Sequence, residues 1–177
     1  VGRLYGIDVL DPNGRHMERQ EAGFPERRCL ICHRPVRECS RSRAHSVQEL
    51  QDRTEAILRE ELQKTDACRI GENAVRSLLY EVCTTPKPGL VDGRNNGSHQ
   101  DMDIFTFVDS SLALAPYFKR CACIGMETAD LDGQETFYRI RQEGRLAEET
   151  MLTATKGVNT HKGAIFSLGI LCAAYGK

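Results

Sequence analysis

Beyond residue 66 the apolar residues of this 177-residue chain recur at helical spacing, and no alternating run long enough to make a strand appears. That constraint predicts an all-α region over 65–177. Ala74, Val75, Leu78, Leu79 and Val82 form one stripe. It ends at T-T-P-K-P-G (84–89), where two prolines remove backbone donors and push the residues before them out of the α region. Ser98 is placed to cap a second apolar helix running to about Ala115, with Pro116 marking its end or a kink. Further helices are predicted over 132–142 and 145–156, stopped by Gly157, and from Gly163 to the last residue.

The first third reads differently. Leu4, Ile7, Val9 and Leu10 run into D-P-N-G (11–14), the pattern of a short strand followed by a tight turn. Residues 15–43 then carry eight arginines, four glutamates, two prolines and no lysine, with little periodicity. S-V-Q-E (46–49) has capping-box spacing, in which the serine oxygen takes an amide of the first turn and the glutamate returns a bond to the cap. A helix is therefore predicted from Ser46 to about Lys64, with Val47, Leu50, Ile57, Leu58 and Leu62 near one face. The fold expected is mixed: a short α+β segment over 1–60 followed by an all-α region, with domains of 1–64 and 65–177. Both read as incomplete, because the chain opens without methionine inside one apolar-rich stretch and stops inside another.

A formal net charge of −1 provides no global field to draw in nucleic acid or an anionic membrane. The longest weakly polar stretch, 163–174, is shorter than the roughly 18–20 residues a spanning helix needs, and no basic stub with an apolar run opens the chain. A cytoplasmic location is expected, with no nucleic-acid or membrane partner. Eight cysteines in a chain without a secretory signal read as reduced thiols. Cys29, Cys32, Cys39 and His45 form a C-x2-C-x6-C-x5-H series, the nitrogen and sulfur set that zinc prefers, and an irregular segment gains folding energy from such a site. Ordinary thiols and a redox pair are the alternatives, and His33 competes as a ligand. Arg27, Arg28, Arg34, Arg37, Arg41 and Arg43 surround the series and read either as guanidinium forks for phosphate or as a solvated face.

Three loops at predicted helix ends each combine glycine, a cation and a hydrogen-bonding side chain: T-P-K-P-G-L-V-D (85–92), N-N-G-S-H-Q-D-M-D (95–103) and G-V-N-T-H-K-G (157–163). Two lead into a helix whose free amides and dipole favour an anion. One such loop alone reads as a capped turn, whereas three in one helical region point to a polyphosphate pocket. Asp101 and Asp103 can share a metal only if the helix begins late, since two residues apart on a helix they face nearly opposite ways.

At these residues the chain resembles two families. T-T-P-K-P-G-L-V-D, N-N-G-S-H-x-D-M-D and G-V-N-T-H-K-G make residues 70–177 similar to the N-terminal part of triphosphoribosyl-dephospho-CoA synthase. R-L-Y-G-I-D-V-L, C-L-I-C and S-R-S-R-A-H-S make residues 1–60 similar to the C-terminal end of apo-citrate lyase phosphoribosyl-dephospho-CoA transferase, with Gly6 standing where an acidic residue is expected. Some bacteria fuse the two enzymes in this order, so the chain reads as a junction fragment of such a fusion.

The resemblance implies a synthase that joins ATP and 3′-dephospho-CoA, releases adenine and leaves a triphosphoribosyl group on the dephospho-CoA ribose. It implies a transferase that moves the phosphoribosyl-dephospho-CoA to the acyl carrier subunit of citrate lyase. Loss of a purine passes through an oxocarbenium-like state that calls for a carboxylate and for an acid at the purine nitrogen. The triphosphate calls for Mg²⁺ and fixed cations. Asp92, Asp101 and Asp103 are the carboxylate candidates, and His99 and His161 the acids. Lys87, Arg94 and Lys162, with Gly89, Asn96, Gly97, Asn159 and Gly163, are the candidates for binding the nucleotide with its Mg²⁺. The rival readings are a non-catalytic nucleotide-binding or zinc-stabilised module and an inactive truncated fragment; adenine release on mixing ATP with dephospho-CoA separates them.

Overall fold

The computed structural model describes residues 9–177. Its elements are α1 (Val36–Ser42), α2 (Val47–Cys83), α3 (Ile104–Ala113), α4 (Ala115–Glu127), α5 (Gly133–Ala154) and α6 (Lys162–Gly176). The chain divides into two compact units, Val1–Leu62 and Gln63–Lys177.

The mixed fold class is corrected by this structure: among the described residues there is no strand or sheet, and the described part of the segment expected to be α+β is helix, turn and isolated bridges. Most of the strand predicted over 4–10, and Gly6 with it, lies outside the described residues. What remains is an isolated bridge between Leu10 and His16, with a second between Arg28 and Pro35. The reason is local. Asp11 draws the amides of Asn13 and Arg15 onto its own carboxylate, closing a turn, and Pro35 offers no donor to extend the second pairing.

Several helix boundaries also move. The Ser46–Glu49 capping box forms, with the Glu49 amide donating to Ser46 Oγ at 3.1 Å and the Ser46 amide to the Glu49 carboxylate at 2.7 Å. The helix it starts does not stop near Lys64 but continues for 37 residues, because nothing between the two predicted helices breaks it. The one glycine there, Gly71, is buried against the Lys119 backbone, where a Cβ would lie 2.9 Å from the amide nitrogen. Residues 133–154 likewise make one helix in place of two. The second apolar helix is capped by Asp103 rather than Ser98, and Pro116 opens α4.

The second unit has one main core. Val75 and Leu78 of α2, Phe118, Cys121 and Ile124 of α4, Ile140 and Met151 of α5, and Ile165 and Cys172 of α6 pack together with Leu114. Here α4 and α6 nearly touch: a Cβ on Gly125 would overlap the Ala173 carbonyl oxygen, and one on Gly176 that of Ala122. The first unit is built otherwise. Val47, Leu50, Leu58 and Leu62, expected on one apolar face, are exposed, and only Cys29 and Cys39 are buried among residues 9–62.

Gly125→Ala tests the close approach. Helix propensity alone favours alanine by about 1 kcal/mol, but the added methyl must push α6 away, so a net loss of about 1–3 kcal/mol is expected. The thermal midpoint should drop by several degrees. Gly133→Ala, where a Cβ meets nothing within 4 Å, should leave it unchanged or raise it slightly.

Candidate active site

The loop between α2 and α3 is organised around a single carboxylate. Asp92 is buried, and its two oxygens accept from the amides of Lys87 (3.0 Å), Arg94 (2.8 Å) and Asn95 (3.1 Å). Those amides, that of Lys87 foremost, hold its carboxyl below the usual carboxylate range. The first two motif loops then interlock, since the Ser98 amide donates to the Gly89 carbonyl at 3.1 Å. Gly97 lies so close to Gly89 that a Cβ would sit 2.6 Å from the Leu90 nitrogen, and both glycines have positive φ, +59° and +79°. No other residue fits there.

Asp103 ends the loop as the cap of α3. Its carboxylate accepts from the Thr106 amide and hydroxyl, both at 2.8 Å, and these bonds lower its pKa. Because α3 starts at Ile104, neither Asp101 nor Asp103 lies inside the helix, and the geometric objection to a shared metal falls away. Asp101 is exposed, with a carboxylate oxygen 4.0 Å from His99 Nδ1. Lys87 is largely covered and pairs with Glu81 at 2.8 Å, while Arg94 and Asn96 are exposed.

The third loop joins this one over a small apolar cluster: Val82, Val91 and Met102, with Ile104, Phe107 and Val158 packed against them. His161, the residue before α6, is buried beside it. Its Nδ1 lies 2.7 Å from Ser110 Oγ, which accepts from the Thr160 hydroxyl at 2.7 Å. The ring stands edge-on to Phe107 at 5.1 Å, and Nε2 is buried without a hydrogen-bond partner. Burial pushes the imidazole down to about 4 against a smaller upward pull from Glu81, so it is neutral at pH 7. Asn159 Oδ1 accepts from the Lys162 amide at 3.3 Å, Gly163 is exposed, and the Lys162 ammonium reaches Glu148 of α5 at 3.1 Å.

The structure thus gathers loops 85–103 and 157–163, but sorts the predicted residues by environment. Asp92 and His161 are enclosed, Asp103 caps α3 through one carboxylate oxygen, His99 is half-buried, and Asp101, Arg94, Asn96, Asn159 and Lys162 face outward. Sequence reasoning passed over Ser110, Glu81 and Glu148. The signal for Ser110 was its position among the apolar residues 104, 107 and 114, where a hydroxyl needs a buried partner. It also passed over a cleft of about 240 Å³ lined by Tyr117, Phe137, Arg141, Arg145, Glu148 and Phe166.

In the first unit, one ligand atom from each of Cys29, Cys32, Cys39 and His45 lies within 4.8 Å of the others. The backbone pairings Cys29 N–H to Arg34 carbonyl (2.7 Å) and Val36 N–H to Arg27 carbonyl (2.9 Å) close the knuckle. Helix α1 carries Cys39, and His45 precedes the Ser46 cap of α2. Arg34 Nε donates to Cys32 Sγ at 3.5 Å and pulls that thiol's pKa down. His33 is exposed and outside the group.

Residues 67–177 match the family described as CitG, ATP:dephospho-CoA triphosphoribosyl transferase, and residues 1–61 match CitX, apo-citrate lyase phosphoribosyl-dephospho-CoA transferase. The chain is 40% identical to Protein CitXG of Haemophilus influenzae, a match that covers 100% of this chain and 37% of that protein. It is 41% identical to Protein CitXG of Leuconostoc mesenteroides subsp. cremoris over 98% of this chain and 39% of that one. A probable 2-(5''-triphosphoribosyl)-3'-dephosphocoenzyme-A synthase of Lactiplantibacillus plantarum is 55% identical over 59% of this chain and 38% of its own. The chain therefore spans about two fifths of the length of the curated relatives it matches. No solved structure matches it.

The buried histidine sets a pH dependence. The unfolded chain protonates His161 near 6.5, whereas the folded unit keeps it neutral down to about 4. Between those values the unfolded state binds more protons, so stability is full above pH 6.5 and is lost as the pH falls towards 4. Urea midpoints measured across that window should decline. His161→Gln, which keeps a polar group beside Ser110 and does not titrate, should flatten the decline. The loss due to Asp92 and Asp103, whose pKa values lie below the ordinary 3.8, should persist at lower pH.

Proposed function

We propose, from the premise that this chain belongs to the CitG family of ATP:dephospho-CoA triphosphoribosyl transferases and is joined to a CitX segment, that the protein makes the citrate lyase prosthetic-group precursor. It joins ATP to 3′-dephospho-CoA and releases adenine; the product then passes to the acyl carrier subunit of citrate lyase. The observation that carries this reading is the meeting of loops 85–103 and 157–163 over one apolar cluster, with the start of α6 beside it. The chemistry belongs in the cytoplasm, and no helix among the described residues is long and apolar enough to cross a membrane.

The environments divide the work. Lys162 and the first amides of α6 receive the triphosphate, with Lys162 exchanging Glu148 for phosphate oxygens. Arg141 and Arg145 in the neighbouring cleft offer further cations. Asp101 and Asp103, oxygen donors outside the helix, would hold Mg²⁺, a hard cation that prefers such ligands and that supplies charge neutralisation on the phosphates when bound. Asp101 is also the accessible carboxylate for the attacking hydroxyl or the developing ribosyl cation, and His99 beside it is the accessible acid for the purine. Asp92 and the neutral His161 act as positioning residues: one shapes its loop through three amides, and the other ties α6 to α3.

The assay mixes the protein with ATP, Mg²⁺ and 3′-dephospho-CoA and follows adenine. Lys162→Ala removes one charge-assisted contact, so kcat/KM for ATP should fall by about 1.5–3 kcal/mol in transition-state binding. The Lys162–Glu148 pair is exposed, so its loss should leave folding within about 0.5 kcal/mol. An unchanged ATP dependence would place the phosphates elsewhere. Asp103→Asn preserves a capping side chain, so a slowing of adenine release by about 10²-fold without loss of nucleotide affinity would identify its carboxylate with the chemistry. Loss of Mg²⁺-dependent binding with chemistry spared would make it a metal ligand.

A further inference from the structure

The first unit presents an unusual interior. Among residues 9–62 the only two buried side chains are the thiols of Cys29 and Cys39, and the apolar residues that could have formed a core, Val47, Leu50, Leu58 and Leu62 among them, are exposed. A segment of this size with no enclosed apolar cluster gains little from hydrophobic burial and needs another source of stability. What converges at its centre is Cys29, Cys32, Cys39 and His45, their ligand atoms all within 4.8 Å of one another. The four come from three separate pieces of chain: a turn, helix α1 and the residue before the cap of α2.

We propose that Cys29, Cys32, Cys39 and His45 bind one zinc ion that takes the place of an apolar core in this unit. Three thiolates and an imidazole complete a tetrahedral set without an open position, which makes the site structural. The surroundings fit the ligands. His45 Nε2 is buried and has no hydrogen-bond partner, a state that metal coordination relieves. The Ile31 amide donates to Cys29 Sγ at 3.4 Å and Arg34 Nε to Cys32 Sγ at 3.5 Å, outer contacts that stabilise metal-bound sulfur. Cys32 and Cys39 Sγ stand 3.2 Å apart, well beyond the roughly 2.05 Å of a disulfide. They need to move apart by about half an ångström to span the edge of a tetrahedron with Zn–S bonds of about 2.3 Å. Binding releases the thiol protons and involves no change of oxidation state. His33, the other nearby imidazole, is exposed and outside the group, so the structure selects His45. This inference stands apart from the synthase chemistry, which belongs to the other unit.

The test uses the whole chain, purified under reducing conditions from zinc-supplemented growth. Metal analysis should find about one equivalent of zinc, and cobalt exchanged into the site should show thiolate charge-transfer absorption and the intense visible bands of a tetrahedral ion. His45→Ala should lower the retained zinc about tenfold or more under a competing chelator, while His33→Ala should leave it unchanged. Chelation of the unaltered chain should expose residues 15–43 to protease and spare the second unit, a readout that does not depend on any variant folding. Less than about a tenth of an equivalent of zinc with no charge-transfer band, a Cys32–Cys39 disulfide under the same reducing conditions, or loss of zinc in His33→Ala but not in His45→Ala would overturn the proposal.

Discussion

The second unit depends on how near α4 and α6 come. With Gly125 beneath the Ala173 carbonyl and Gly176 beneath that of Ala122, the two backbones meet without intervening side chains. Such contact collects many small dispersion terms along the helices and leaves no slack, so a displacement of either helix loses them together. Tyr117, reaching across from α4 to donate to the Ile165 carbonyl at 2.9 Å, pins the α6 end nearer the site. The start of α6 is held in turn, and His161, one residue earlier, lands against Ser110 of α3.

From that placement follows the character of the site. Its loops use much of their polar chemistry on themselves: Asp92 gathers three amides, Asp103 caps a helix, and Lys87 is drawn to Glu81. What remains accessible, Asp101, His99, Arg94 and Lys162, is carried on a backbone already fixed by those bonds. On the function proposed above, groups held this way would meet the polyphosphate with little reorganisation, which is where electrostatic catalysis draws its strength. The enclosed imidazole contributes shape rather than charge, since burial keeps it neutral at pH 7.

The two units solve the stability problem differently. One buries leucine, phenylalanine, isoleucine and methionine from four helices and the junction at Leu114. The other encloses two cysteines and brings a third and a histidine to them. Short arginine-rich sequence cannot bury enough apolar surface to offset its ordering entropy, and the zinc proposed above would be the chemical alternative.

Much of this could be read from neighbouring residues. Helical periodicity marked the second unit, S-V-Q-E marked the start of α2, the cysteine spacing marked four residues that the fold brings together, and three loop motifs pointed to the family. Each of these signals is local: a cap or a knuckle involves groups a few residues apart, so composition and spacing carry it. The β structure expected in the described part of the first unit, the break in α2 and the cap at Ser98 failed because local propensity was weighed without knowing which competing partner would win. Asp11 and Pro35 ended the bridges, packing of Gly71 against Lys119 carried α2 through, and Asp103, accepting the Thr106 amide, caps α3 in place of Ser98. The bond between Ser110 and His161 joins residues 51 positions apart, and the roles left to Asp92 and Asp101 depend on which of them the folded loop encloses. No spacing rule encodes such choices, because burial and partnership at that range come into being only when separate helices pack.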